Sequence, residues 1–135
     1  MRMKSLAVLA LVAAPLFAGT NLFTKYETVR QGLLRQKLAE VQSSAKELAA
    51  EAVKAENAEV AKAAEAVAKA GDLKTARTAF GVLSDEMIKV RNAAKGDRPA
   101  IGFCPMVNKS WLKAKSDKIG NPYEPAMAEC GMLKD

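Results

Sequence analysis

Two short stretches near the C-terminus concentrate sulfur: Cys104-Pro105-Met106 and Met127-Ala128-Glu129-Cys130-Gly131-Met132. Thiolate and thioether are soft donors, and soft donors select Cu(I). Met127 and Cys130 lie three residues apart, a spacing that shares one face if the stretch is helical. Pro105 stiffens the link between Cys104 and Met106, so both sulfurs can turn the same way. Folding residues 104–106 against 127–130 would gather Cys104, Met106, Met127 and Cys130 around one ion, Cu(I) or Ag(I). A thioether has no proton to lose, so such a site keeps its affinity at low pH.

The same cysteines support a plainer reading. A disulfide between Cys104 and Cys130 would close a loop of about 26 residues, worth roughly 3 kcal/mol on the chain-entropy estimate. One such bond is common in small secreted proteins. In that case the chain takes no metal and has a structural or partner-binding role. Met106, Met127 and Met132 would then be gap-filling hydrophobes, as Met87 is expected to be on its helix. The placement of methionines beside each cysteine favours the metal.

The chain has no histidine. That removes the commonest zinc and Cu(II) ligand and excludes Ser/His/Asp and Cys/His catalytic arrangements. No glycine-rich phosphate loop is present, and no carboxylate pair stands apart from the helix faces. The chain is therefore not expected to be an enzyme. A thiol-redox role is disfavoured because the cysteines do not form a Cys-x-x-Cys motif.

A scaffold must position these sulfurs, and it reads as helix. Ala, Glu, Lys, Leu and Gln dominate residues 20–95, with no proline between Pro15 and Pro99. Apolar stripes at helical spacing run Leu22, Tyr26, Val29, Leu33; then Leu38, Val41, Ala45, Leu48, Ala52, Ala55; then Val60, Ala63, Val67, Ala70; then Leu73, Ala76, Phe80, Leu83, Met87, Val90, Ala94. Gly71-Asp72 is a strong break, Asn57 a candidate cap, and Lys95-Gly96 before Pro99 a stop. The break near Arg35-Lys37 has only Gly32 as a cue. Two helices are expected there, because a compact bundle buries more apolar surface than a protruding rod.

From Pro99 onward helical periodicity is lost, and Phe103, Trp111 and Tyr123 argue against disorder. Trp111 is expected to be a buried anchor, and Asn121-Pro122-Tyr123 a turn held by Tyr123. The expected fold is all-α: a four-helix bundle over residues 20–96 with an irregular Cys/Met tail, residues 97–135, packed on it as part of one domain.

The N-terminus has the form of a secretory signal peptide over residues 1–18. Arg2 and Lys4 precede an apolar run from Leu6 to Phe17 that ends near Ala18-Gly19. The run is shorter than the roughly 20 residues a membrane span needs, so no membrane association is expected after cleavage. The expected compartment is the periplasm. Cleavage lowers the net charge from +6 to +4, and lysines interspersed with glutamates read as a solvated surface. No dense basic patch supports nucleic-acid binding.

The ordered tail motifs Cys104-Pro105-Met106, Trp111-Leu112, Ile119-Gly120-Asn121-Pro122-Tyr123 and Met127-Ala128-Glu129-Cys130-Gly131 resemble a bacterial family catalogued as domain of unknown function 3347. Asp72-Leu73 with Arg77, Phe80 and Leu83-Ser84 is similar to its last long helix. The resemblance runs over roughly residues 22–133. It implies a four-helix bundle with a Cys/Met tail, export to the periplasm, and an association with adaptor subunits of copper and silver efflux systems. Carried over, the ligands are Cys104, Met106, Met127 and Cys130, and the partners are a metal ion and a metal-efflux component. The segment between Met106 and Trp111 departs from the family, being shorter than in many relatives.

Overall fold

The computed structural model describes residues 15–115 and 117–134, with side chains from residue 21 onward. The expected signal peptide lies outside the described residues except for 15–18, which open the first helix. Four helices follow in order: α1 (Pro15–Leu34), α2 (Leu38–Lys54), α3 (Ala58–Ala68) and α4 (Leu73–Ala93). Each packs on the next, and α1 also touches α4. Among the described residues no helix is long and apolar enough to cross a membrane.

Local chemistry explains each boundary. The Asn57 side chain accepts from Val60 N–H at 3.0 Å and the Asp72 side chain from Thr75 N–H at 2.7 Å, so each satisfies one orphan donor of a first helical turn. The break at Arg35–Lys37 is real, and residues 21–56 form two helices. There Gln36 sits at φ 56°, with Lys37 N–H bonded to Gly32 O and Gln36 N–H to Leu33 O. Those two bonds make a Schellman stop. The end of α2 repeats it with Glu56 at φ 57° and Asn57 N–H bonded to Ala52 O. Gly32 then allows the close approach of α2, since a Cβ there would lie 3.0 Å from Val41 Cγ2.

The apolar stripes face inward. Leu22, Tyr26, Val29 and Leu33 of α1 join Val41, Ala45, Leu48 and Ala52 of α2, Val60, Ala63 and Val67 of α3, and Ala76, Phe80, Leu83 and Met87 of α4 in one buried core.

The tail corrects the all-α expectation. It is not irregular: it forms a three-stranded antiparallel sheet of β1 (Ala100–Cys104), β2 (Lys109–Lys113) and β3 (Met132–Leu133), in the order β2-β1-β3. The fold is mostly helical with a small sheet. These strands are two to five residues long, and their pattern is masked by Gly102 and by lysines at both ends of β2. Their stability comes from cross-strand pairing, with Gly102 opposite Trp111. A Cβ at Gly102 would lie 2.6 Å from Trp111 Cζ2, far inside the roughly 3.5–4.0 Å of carbon contact. Only glycine lets the indole lie across β1.

The sheet shares the helical core, which includes Cys104, Trp111, Leu112 and Tyr123. A buried polar cluster joins the two parts. Tyr26 Oη lies 2.7 Å from Ser84 Oγ and accepts from Leu112 N–H at 3.1 Å. Tyr123 Oη donates to Ser110 O at 2.6 Å and lies 3.1 Å from Ser84 Oγ. Burial drives both phenols well above the ordinary tyrosine pKa, so they act as neutral hydrogen-bonding groups.

Candidate metal centre

The sulfurs are positioned by the sheet register. After Cys104 the chain turns through residues 105–108, with Asn108 at φ 53°, and returns as β2 at Lys109. On the other side of β1, Phe103 pairs with Met132 in antiparallel register. The chain entering β3 therefore passes the hairpin in the opposite direction. Cys130 Sγ comes to 3.8 Å from Met106 Sδ.

That separation has chemical meaning. Two sulfurs bound at about 2.3 Å to one ion, at an angle of about 110–120°, lie about 3.8–4.0 Å apart. In this structure the contact is a hydrogen bond from the Cys130 thiol to the Met106 thioether, and its length is also one that two sulfurs on a single tetrahedral or trigonal ion would adopt. Met106 is 64% exposed and Cys130 half-buried, so the pair is open to an incoming metal. Among the described residues no group of three or more His, Cys, Asp or Glu could hold a metal ion. The donors gathered here are sulfur, and that donor chemistry suits a soft ion rather than a hard one.

The four expected ligands do not share one environment. Cys130 and Met106 are in contact. Cys104 is fully buried in the core beside the aromatic cluster. Met127 is 45% exposed in the single helical turn before Cys130, whose N–H donates to Met127 O at 2.8 Å. Cys104 and Cys130 are not bridged to each other in this structure. Met132 is exposed on β3 and Met87 fully buried on α4.

Residues without a sulfur atom hold the loop that carries Cys130. Asn121 is fully buried. Its Oδ1 accepts from Tyr123 N–H at 2.9 Å and Glu124 N–H at 3.2 Å, and its Nδ2 donates to Cys130 O at 2.9 Å. Its own N–H donates to Ala128 O at 2.7 Å. One side chain thus ties both ends of the 121–130 loop. Arg30 of α1, 1% exposed, grips Glu27 with two donors at 2.8 Å and donates to Gly120 O at 2.6 Å. Gly131 sits against Trp111 and Ile119, where a Cβ would come within 3.0 Å of each.

Trp111 is the buried anchor expected of it: its Nε1 donates to Ile119 O at 3.1 Å and its ring meets Tyr123 edge-on. The sequence signalled Asn121 only as a residue before proline. Nothing in its neighbours shows that it reaches the Cys130 carbonyl. Tyr26 reads as one more apolar position of its stripe, and its hydroxyl role depends on β2 arriving from 86 residues away.

Comparison with known proteins bears on the helices. No curated protein and no solved structure matches the chain. A family model described as "Protein of unknown function (DUF3347)" matches residues 22–98. That span covers the four helices from Leu22 onward and ends just before β1, so the sulfur pair lies beyond the matched residues. On this match, which covers more than half of the chain, the protein belongs to the DUF3347 family.

Proposed function

We propose that this protein is an exported, periplasmic carrier of a soft monovalent ion, Cu(I) or Ag(I), taken up between Met106 Sδ and Cys130 Sγ and then held or passed on. The observation that carries this reading is the 3.8 Å contact between the Met106 thioether of the β1–β2 turn and the Cys130 thiol of the loop before β3. Two protein sulfurs leave an ion's remaining positions free for further donors. Met127 lies three residues before Cys130, unbranched and exposed, and can swing in. Cys104 would have to leave the core to join. An incompletely enclosed ion is one that a partner's sulfur can capture, which suits delivery to a metal-efflux component.

The test is a Cu(I) competition titration on the full chain under reducing conditions, with Zn(II) as control. Cys130→Ser and Met106→Leu each remove one of the paired sulfurs. Since loss of even a supporting residue costs about 10–100-fold at metal sites, each variant should lose at least that much Cu(I) affinity. Wild-type affinity in both variants overturns the site. Alkylation and mass spectrometry without a reductant should add two labels after unfolding. No added label would show that Cys104 and Cys130 are bridged and favour a structural role.

A further inference from the structure

A cleft lies at the opposite end of the β1–β2 ladder from the sulfur pair. There β2 ends at Lys113, opposite Ala100, about 14 Å along β1 from Cys104 at 3.4 Å per residue. The cleft, of about 840 Å³, opens between α1 and β2, within the size range of small-molecule sites. Phe23, Pro99 and Leu112 give it apolar walls, and Arg98, Lys113 and Lys115 line it as cations.

Lys113 is the unusual member. It is 2% exposed, and its ammonium makes one hydrogen bond, to Ala114 O at 2.6 Å. An ammonium has three donors, and a buried charge is normally paired. Among the described residues no carboxylate pairs with Lys113. Of the two carboxylates in the cleft wall, Glu27 is engaged elsewhere and Asp97 is almost fully exposed. Both Glu27 oxygens are bonded to Arg30, and one also to Gln31. Asp97 Oδ1 faces Lys115 Nζ at 3.4 Å. The cleft wall therefore combines apolar residues with a buried lysine that has no carboxylate partner among the described residues, and Arg98 is a further cation in the same wall.

We propose that this cleft binds a small organic monoanion, an apolar body carrying one carboxylate or sulfonate group, with Lys113 as its counter-ion. One buried lysine among apolar side chains matches a single charge on a greasy body better than a hydrophilic polyphosphate. The site is independent of the sulfur pair and stands or falls apart from it.

The experiment compares two probes on the full chain: 8-anilinonaphthalene-1-sulfonate and its uncharged counterpart N-phenyl-1-naphthylamine, each followed by fluorescence titration. The sulfonate should bind saturably at one site per chain and more tightly than the neutral probe. Lys113→Met keeps the stem and removes the charge. It should weaken the sulfonate at least about tenfold, as loss of one partner of a buried charge pair does, and leave the neutral probe within twofold. Arg98→Ser, a change outside every helix and strand, should weaken the sulfonate by a smaller factor and gives a readout should Lys113→Met fail to fold. Equal binding of the two probes, or unchanged sulfonate affinity in either variant, overturns the proposal.

Discussion

Replacing Asn121 by alanine removes the side chain that holds the Cys130 loop without touching a sulfur. Three hydrogen bonds vanish: from Tyr123 N–H, from Glu124 N–H and to Cys130 O. The Glu124 bond, at 3.2 Å on a half-buried residue, is the one water can replace. Tyr123 N–H is buried, and Cys130 O, on a half-buried residue, loses its side-chain donor. An orphaned buried group costs about 1–3 kcal/mol, so two of them place the loss at about 2–6 kcal/mol. For a domain of this size, each kcal/mol lowers Tm by roughly 3–5 °C. The melting temperature of Asn121→Ala should therefore fall by at least about 6 °C, read by circular dichroism or calorimetry. Hydrogen exchange should show the Tyr123 amide losing protection before the amides of α2 and α3. Cu(I) affinity should fall too, because Cys130 would no longer be held opposite Met106. A melt within about 2 °C of the wild type, with Tyr123 still protected, would refute the claim that this side chain carries the loop.

Tyr26→Phe removes the acceptor for the buried Leu112 N–H and the partner of Ser84; it should cost about 2–3 kcal/mol, measured as a shift in the urea midpoint at constant slope. Gln36→Gly should stabilise by about 0.5–1 kcal/mol, since φ 56° strains any residue with a Cβ; a lower urea midpoint would count against the Schellman assignment. Asp72 has its carboxyl held below the ordinary range by hydrogen bonding to Thr75, first through the backbone N–H. Its folded pKa is depressed, so its contribution is complete above the unfolded value of about 3.9 and fades as pH falls through the folded one. Asp72→Asn keeps an acceptor without the charge, so the stability gap between the two should be present at neutral pH and close below about pH 4. A gap that persists at the lowest pH would contradict this.

The helical part of this protein was legible in the sequence because its signals are local. Stripes such as Leu73, Ala76, Phe80, Leu83 and Met87 repeat at the helix period, and the Asn57 and Asp72 caps act within three residues of themselves. The turn at Gln36 was harder, since its left-handed residue carries a side chain instead of being glycine. The sheet was not legible at all. Gly102 and Trp111 mean little apart, and they become a strand pair only when the chain returns nine residues later. Among the sulfurs, the residue types alone announced soft-donor chemistry. Which cysteine meets a thioether and which is buried was settled by the pairing of Phe103 with Met132. Helix and cap depend on neighbours three or four positions away, so sequence order already contains them. Burial and sulfur-to-sulfur distance depend on contacts between segments two dozen residues apart, and those exist only once the tail has folded onto α1 and α4.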